Sequence, residues 1–174
     1  MRRSPAIAVV AALLVTATAC GNGQNEAPSG DSSTAQHPRS SASASPVIRT
    51  VTVPGLGRVL ANNEGFVLYM FPPDKQAKVT CTGPCAGTWP PALVPAGANP
   101  RAAGGVRTAL LGTVAQPGSD ARVITYNRWP LYTYVADLKP RTALGQALDL
   151  NGGYWYVLRS SGEIVRTAAS PAGR

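Results

Sequence analysis

The chain has 174 residues, with 16 Lys and Arg against 8 Asp and Glu and a single His, for a formal net charge of +8. After Arg3 the cations stand singly, which argues against nucleic acid as a partner and leaves a loose attraction to anionic lipids or wall polymers. The one histidine, His37, lies among Ser, Ala and Pro and reads as a solvated linker residue, so the folded part is expected to hold no Ser-His-acid triad, Cys-His pair or imidazole metal site.

Arg2 and Arg3 precede ten apolar residues, Ala6 to Val15, and the small residues Ala17-Thr18-Ala19 lead to Cys20. A membrane span needs roughly 20 apolar residues, so residues 1–19 read as a signal peptide. A cysteine directly after small residues, followed by Gly21-Asn22-Gly23, is the arrangement of a bacterial lipoprotein signal. Cys20 is then the lipidated N-terminus, and the protein is expected outside the cytoplasm, anchored to the cell membrane. Plain secretion after Ala19 is the alternative. Removal of Arg2 and Arg3 leaves 14 Lys and Arg against 8 acids.

Residues 20–46 form the next unit. From Gly21 to Pro46 there is no Val, Ile, Leu, Met, Phe, Tyr or Trp, so the stretch cannot bury enough surface to offset its ordering entropy. It reads as a disordered tether with a reach of about 30 Å.

Composition changes at Val47, and all eleven aromatics lie between Phe66 and Tyr156. Residues 47–167 are the size of one ordinary domain, followed by a small, polar tail at 168–174. Eight strands are predicted in chain order: Val47 to Val53, Arg58 to Asn62, Phe66 to Phe71, Val106 to Ala115, Arg122 to Tyr126, Pro130 to Val135, Tyr154 to Arg159 and Glu163 to Arg166. Each is rich in β-branched or aromatic residues and bounded by Gly, Pro, Asn or Asp. Asn62-Asn63-Glu64-Gly65 and Ser160-Ser161-Gly162 read as hairpin turns. Arg141 to Leu150 is the one predicted helix. The fold class is therefore all-β: one antiparallel domain, sandwich or barrel-like.

Two segments repeat. A shift of 63 residues brings Leu60-Ala61 onto Val123-Ile124, Leu68-Tyr69 onto Leu131-Tyr132, Phe71 onto Tyr134 and Asp74 onto Asp137; three further residues bring Trp89 onto Trp155. Copies at about 58–95 and 122–162 imply a duplicated β-unit, each copy too small to bury its own apolar face. In an extended strand Tyr69 and Phe71 share one face and Leu68 and Met70 the other. An Asp just past such a strand accepts hydrogen bonds from loop N–H groups or a tyrosine hydroxyl. The functional alternative is that a pseudo-twofold brings Asp74 and Asp137 together, for cations or sugar hydroxyls.

The doubled Tyr-x-aromatic-x-x-Asp resembles a family of lipoproteins described as a secreted repeat of unknown function. So do Cys81-Thr82-Gly83-Pro84-Cys85, Thr88-Trp89-Pro90-Pro91, Thr125-Tyr126-Asn127, Pro130-Leu131-Tyr132, Gly145-Gln146 and Gly152 to Val157. The chain departs from the family at Arg128-Trp129, where Gly follows Asn, and between Lys139 and Leu144, where a Gly-rich turn is usual. The resemblance implies a lipid-anchored or secreted β-repeat protein and supplies no catalytic residues.

Export puts Cys81 and Cys85 in an oxidising compartment, so a disulfide across Gly83-Pro84 is the first reading. A thiolate pair for a soft metal, or a redox-active dithiol, is the rival. Trp89, Trp129, Tyr132, Tyr134, Tyr154, Trp155 and Tyr156 supply either core packing or a stacking surface for glycans, with Trp129 expected at the surface. The expectation is a non-catalytic binding or interaction module at the cell envelope, needing no cofactor, with an envelope polymer or protein as partner. Redox or metal handling by Cys81 and Cys85 is the first alternative, and a glycan hydrolase using Asp74 and Asp137 the second.

Overall fold

Period-two patterning produces β-structure across residues 45–167, the part of the chain described by the computed structural model. The signal peptide, Cys20, the tether as far as residue 44 and the tail from residue 168 lie outside the described residues. Strand β1 (Val47–Val53) turns at Pro54-Gly55-Leu56 into β2 (Gly57–Ala61), with Val53 opposite Gly57 and Arg49 opposite Ala61. The alternation holds: Val51 and Val53 are buried while Thr52 between them is exposed. β5 (Arg101–Ala102) adds to β1 in parallel, giving the order β2-β1-β5.

A second sheet has the order β3-β10-β9, from β3 (Tyr69–Met70), β10 (Tyr154–Val157) and β9 (Leu148–Asp149). In the third, β7 (Arg122–Tyr126) pairs with β6 (Leu111–Ala115) on one side. On its other side it meets both β4 (Leu93–Val94) and β8 (Trp129–Pro130). Apart from β1–β5 the pairings are antiparallel, and the sheets do not close into a barrel.

Side chains sort into two cores as the alternation predicts. Tyr69, Phe71, Trp89, Tyr132 and Trp155 share one cluster with Val51, Val59 and Val157. Leu68, Met70 and Leu131 point the other way, into a cluster with Leu60, Ile124, Tyr126 and Leu158.

The differences from expectation have physical causes. Residues 141–150 form turns and β9 rather than a helix. Arg141 and Ala147 have φ of 63° and 57°, left-handed values that end a right-handed helix. The backbone donors are also taken by distant acceptors: Arg141 N–H by Gly65 C=O, Leu144 N–H by Asp137, Ala147 N–H by Trp155 C=O. A helix stands instead at Pro84–Thr88 (α1), with Pro84 in its first turn. The strand expected over residues 66–71 is regular only at β3 and then enters a 3₁₀ turn at Pro72–Ala77. That expected from residue 106 starts with a 3₁₀ turn at Thr108–Leu110. Beyond β8 the segment 130–135 contributes bridges only at Tyr132, to Tyr69 and Pro91, and the segment 163–166 a single bridge at Ile164.

Candidate functional site

Tyr69 and Tyr132 face each other across an antiparallel bridge, each N–H donating to the other's carbonyl at 2.8 and 3.0 Å. This bridge joins the two motif segments. Val157 lies opposite Tyr69, and Pro91 lies opposite Tyr132. Leu60 N–H donates to Leu158 C=O at 2.9 Å, and Ile124 N–H to Ala92 C=O at 2.8 Å. These equivalences correct the constant shift. Leu60 corresponds to Ile124 rather than Val123, because Leu60 pairs with Leu68 across a three-residue turn while Ile124 pairs with Leu131 across a two-residue turn.

The motif tyrosines and aspartates then cross over. Tyr69 Oη donates to Asp137 Oδ2 at 2.6 Å, and Tyr132 Oη donates to Asp74 Oδ2. The tyrosine of each copy is thus bound to the acid of the other. The loop after each Asp folds back to complete its shell. The Thr80 N–H donates to Asp74 Oδ1 at 2.7 Å, joined by the Thr80 hydroxyl, and the Leu144 N–H donates to Asp137 Oδ1 at 2.8 Å. Both acids are buried. Burial pushes the Tyr69 and Tyr132 phenols far above their usual range, and the adjoining carboxylates push in the same direction. Desolvation also raises Asp137, against the lowering effect of hydrogen bonds from Tyr69, the Leu144 N–H and Thr142.

The remaining motif aromatics form a column that alternates between copies. Phe71 stacks on Trp155 at 4.2 Å, Trp155 on Trp89 at 3.9 Å, and Trp89 on Tyr134 at 4.2 Å. Tyr69 meets Trp89 edge-on at 5.4 Å and Tyr132 meets Trp155 at 5.2 Å. Such pairs contribute about 0.5–1.5 kcal/mol each beyond their buried area. The indole N–H groups are used as well, Trp89 donating to Asn151 Oδ1 and Trp155 to Leu150 C=O. Gly145 lies against the column, so close that a Cβ there would stand 2.6 Å from Trp89 Cη2.

Gln146, marked in the sequence only as part of the Gly145-Gln146 segment, is a buried strut. Its Nε2 donates to Val165 C=O and Thr167 C=O, both at 2.7 Å, and its Oε1 accepts from Val157 N–H at 2.8 Å. Cys81 and Cys85 are bonded as a disulfide, with Cys81 buried. Trp129, expected at the surface, is half-buried against the second core at the tip of the β7–β8 hairpin. Among the described residues no group of three or more His, Cys, Asp or Glu could hold a metal ion.

An exposed aromatic stands on β10. Trp155 points into the first core, while on the opposite face Tyr156 is half-buried against the second core and Tyr154 is exposed, their rings 6.1 Å apart and within 23° of parallel. With Pro72, Pro73, Lys75, Gly153 and Arg166 they line an open cleft of about 610 Å³. The period-two reading of Tyr154 to Tyr156 carried the signal for the tyrosines; nothing local in sequence ties Lys75 or Arg166 to them.

Residues 50–93 match the model of a family described as a secreted repeat of unknown function. The family resemblance is thereby borne out over residues 50–93. The secreted-repeat match runs from β1 through the first motif, the disulfide and Trp89 to β4. No curated protein and no solved structure matches the chain. The match supports an extracytoplasmic location, and no described helix is long and apolar enough to cross a membrane.

Proposed function

We propose that the protein is held at the cell envelope by a lipid on Cys20, and that its β domain works there as a non-catalytic binding or interaction module. The observation that carries this reading is the crossed tyrosine–aspartate pairing. Both motif acids are buried, and every one of their oxygens accepts a hydrogen bond. A glycosidase needs one carboxyl group to protonate a leaving group and another to reach substrate or water; Asp74 and Asp137 are instead spent on joining the copies. Cys81 and Cys85 are likewise spent on each other, which weighs against a standing thiolate site for metal.

The anchor is tested by expressing the full chain and its Cys20→Ala variant in a bacterium with lipoprotein processing. The unaltered chain is expected in the detergent phase with a diacylglyceryl mass increment, and the variant in the aqueous phase. Equal membrane retention of the variant overturns the anchor. Incubating the purified protein with envelope glycans tests the second half, and release of new reducing ends sinks the non-catalytic reading.

A further inference from the structure

The cleft on β10 has a chemistry of its own. One side holds Tyr154 and Tyr156, with Tyr154 49% exposed although it is aromatic. The facing wall is Pro72-Pro73, where the first copy's strand ends in its 3₁₀ turn. Gly153 keeps the floor low: a Cβ there would stand 3.1 Å from Phe71 and 3.3 Å from Pro73. Two cations bracket these apolar surfaces. The Arg166 guanidinium lies over the Tyr156 ring, 5.4 Å from its centroid, and Lys75 is exposed at the rim. Among the described residues the one ion pair is Arg159–Glu163, so Lys75 and Arg166 bring unneutralised charge to the cleft. No acid lines it. Asp149, opposite Tyr154 in the β9–β10 ladder, is the carboxylate beside it.

We propose that this cleft binds an acidic saccharide, with a sugar ring against the exposed Tyr154 and its carboxylate or phosphate against Lys75 and against Arg166, which Tyr156 holds in place. A sugar ring offers an apolar C–H face bounded by hydroxyls, which matches a tyrosine's apolar face and polar tip. An anionic substituent matches the planar donor fork of Arg and the point charge of Lys. The stacking of Arg166 on Tyr156 fixes the guanidinium beside the platform, so less side-chain freedom is lost on binding. A nucleic-acid strand is disfavoured because it needs a continued basic track, and two cations at one cleft do not make one. The proposal rests on the binding-module reading and gives it a site and a ligand class.

The test is calorimetric titration of the full mature chain in detergent with defined probes. A galacturonate hexamer supplies rings with carboxylates, and phosphomannan supplies rings with phosphates. Methyl-esterified hexamer supplies rings without charge, polyphosphate charge without rings, and oligothymidylate a nucleic acid. Saturable binding of either acidic saccharide is expected, the tighter one identifying the acid group, with at least tenfold weaker binding of the ester and of polyphosphate. Tyr154→Ala and Arg166→Ala should each weaken it at least fivefold without moving the melting temperature by more than about 2 °C, while Arg128→Ala, which removes a cation outside the cleft, leaves it unchanged. The proposal is overturned if neither acidic saccharide binds, if ester, polyphosphate or oligothymidylate binds equally well, or if Tyr154→Ala has no effect. Absence of saccharide binding removes this ligand and leaves the module reading to its own tests. Shortening of the bound hexamer keeps the site and removes the non-catalytic reading.

Discussion

Replacing Tyr69 by Phe removes one oxygen and tests the crossed pairing directly. The ring keeps its edge-on contact with Trp89, while Asp137 loses the 2.6 Å hydrogen bond to its Oδ2 and retains the Leu144 N–H on Oδ1. A hydrogen bond to a charged group contributes about 1.5–3 kcal/mol, and a buried group left short of a partner carries its desolvation cost as well. The expected loss at pH 7 is therefore about 2–3 kcal/mol, a fall in melting temperature of roughly 6–12 °C for a domain of this size. The pH dependence distinguishes this account from simple loss of packing. Burial already raises the folded-state Asp137, and the Tyr69 hydrogen bond is one of the interactions opposing that rise. Without it the folded-state value climbs further, so the variant's buried carboxyl takes up a proton at mild acid and relieves the penalty. The gap between Tyr69→Phe and the unaltered protein should narrow as pH falls from 7 toward 4. Urea unfolding of the two proteins and of Asp137→Asn, alone and combined with Tyr69→Phe, measures the coupling, expected to exceed about 1 kcal/mol. A loss below about 0.5 kcal/mol at pH 7, or a gap independent of pH, would refute the reasoning.

Base should unfold the protein steeply. Unfolded tyrosines ionise near pH 10 whereas Tyr69 and Tyr132 ionise far higher in the fold, so above that pH the folded state holds two more protons and stability falls by about 2.7 kcal/mol per pH unit. Either Tyr→Phe change should halve that slope in urea titrations between pH 10 and 12. Gly145→Ala, which sets a methyl 2.6 Å from a ring fixed in a four-membered stack, should cost about 3 kcal/mol and dull the near-ultraviolet dichroism of the tryptophans. Arg128→Gly should stabilise by about 1 kcal/mol, because Arg128 holds φ of 67° at an exposed two-residue turn; a loss on thermal melting contradicts this. Cys81→Ser with Cys85→Ser should lower stability by about 2 kcal/mol, the entropy of a short closed loop, and intact-mass analysis of the unaltered protein should gain two hydrogens on reduction.

Legibility in the sequence follows how local each determinant is. β1 was readable because the alternation at Val51, Thr52 and Val53 is set by its own pattern, and β7 because its β-branched and aromatic residues favour a strand buried on both faces. The strand expected at Tyr154 to Arg159 puts Trp155 and its flanking tyrosines on opposite faces, but which face meets the first core was not assigned by the sequence. The nature of the aspartate partners, loop N–H groups and a tyrosine hydroxyl, also followed from the chemistry of a short acid past a strand end. Which tyrosine served which acid did not, since residues 68 positions apart choose each other only through the fold. Residues 141–150 misled for a related reason: their N–H groups are claimed by Gly65, Asp137 and Trp155, acceptors invisible to a local pattern. The departure from the family at Arg128 falls on a left-handed position, and the stretch between Lys139 and Leu144 holds another at Arg141, so turns that glycine suits are made there by Arg. Trp129 was judged by its turn, and the turn folds it against the second core.

The crossed pairing has a genetic corollary. A polypeptide bearing one motif alone has a tyrosine without its acid and an acid without its tyrosine. In the single chain the two motifs are tied to each other, so a substitution at one is felt in the loop that follows the other. Selection on either motif is thereby selection on both. A pair of mutations exchanging Tyr69 and Asp137 for an apolar couple is open to such a gene, whereas the same exchange confined within one copy breaks two contacts at once.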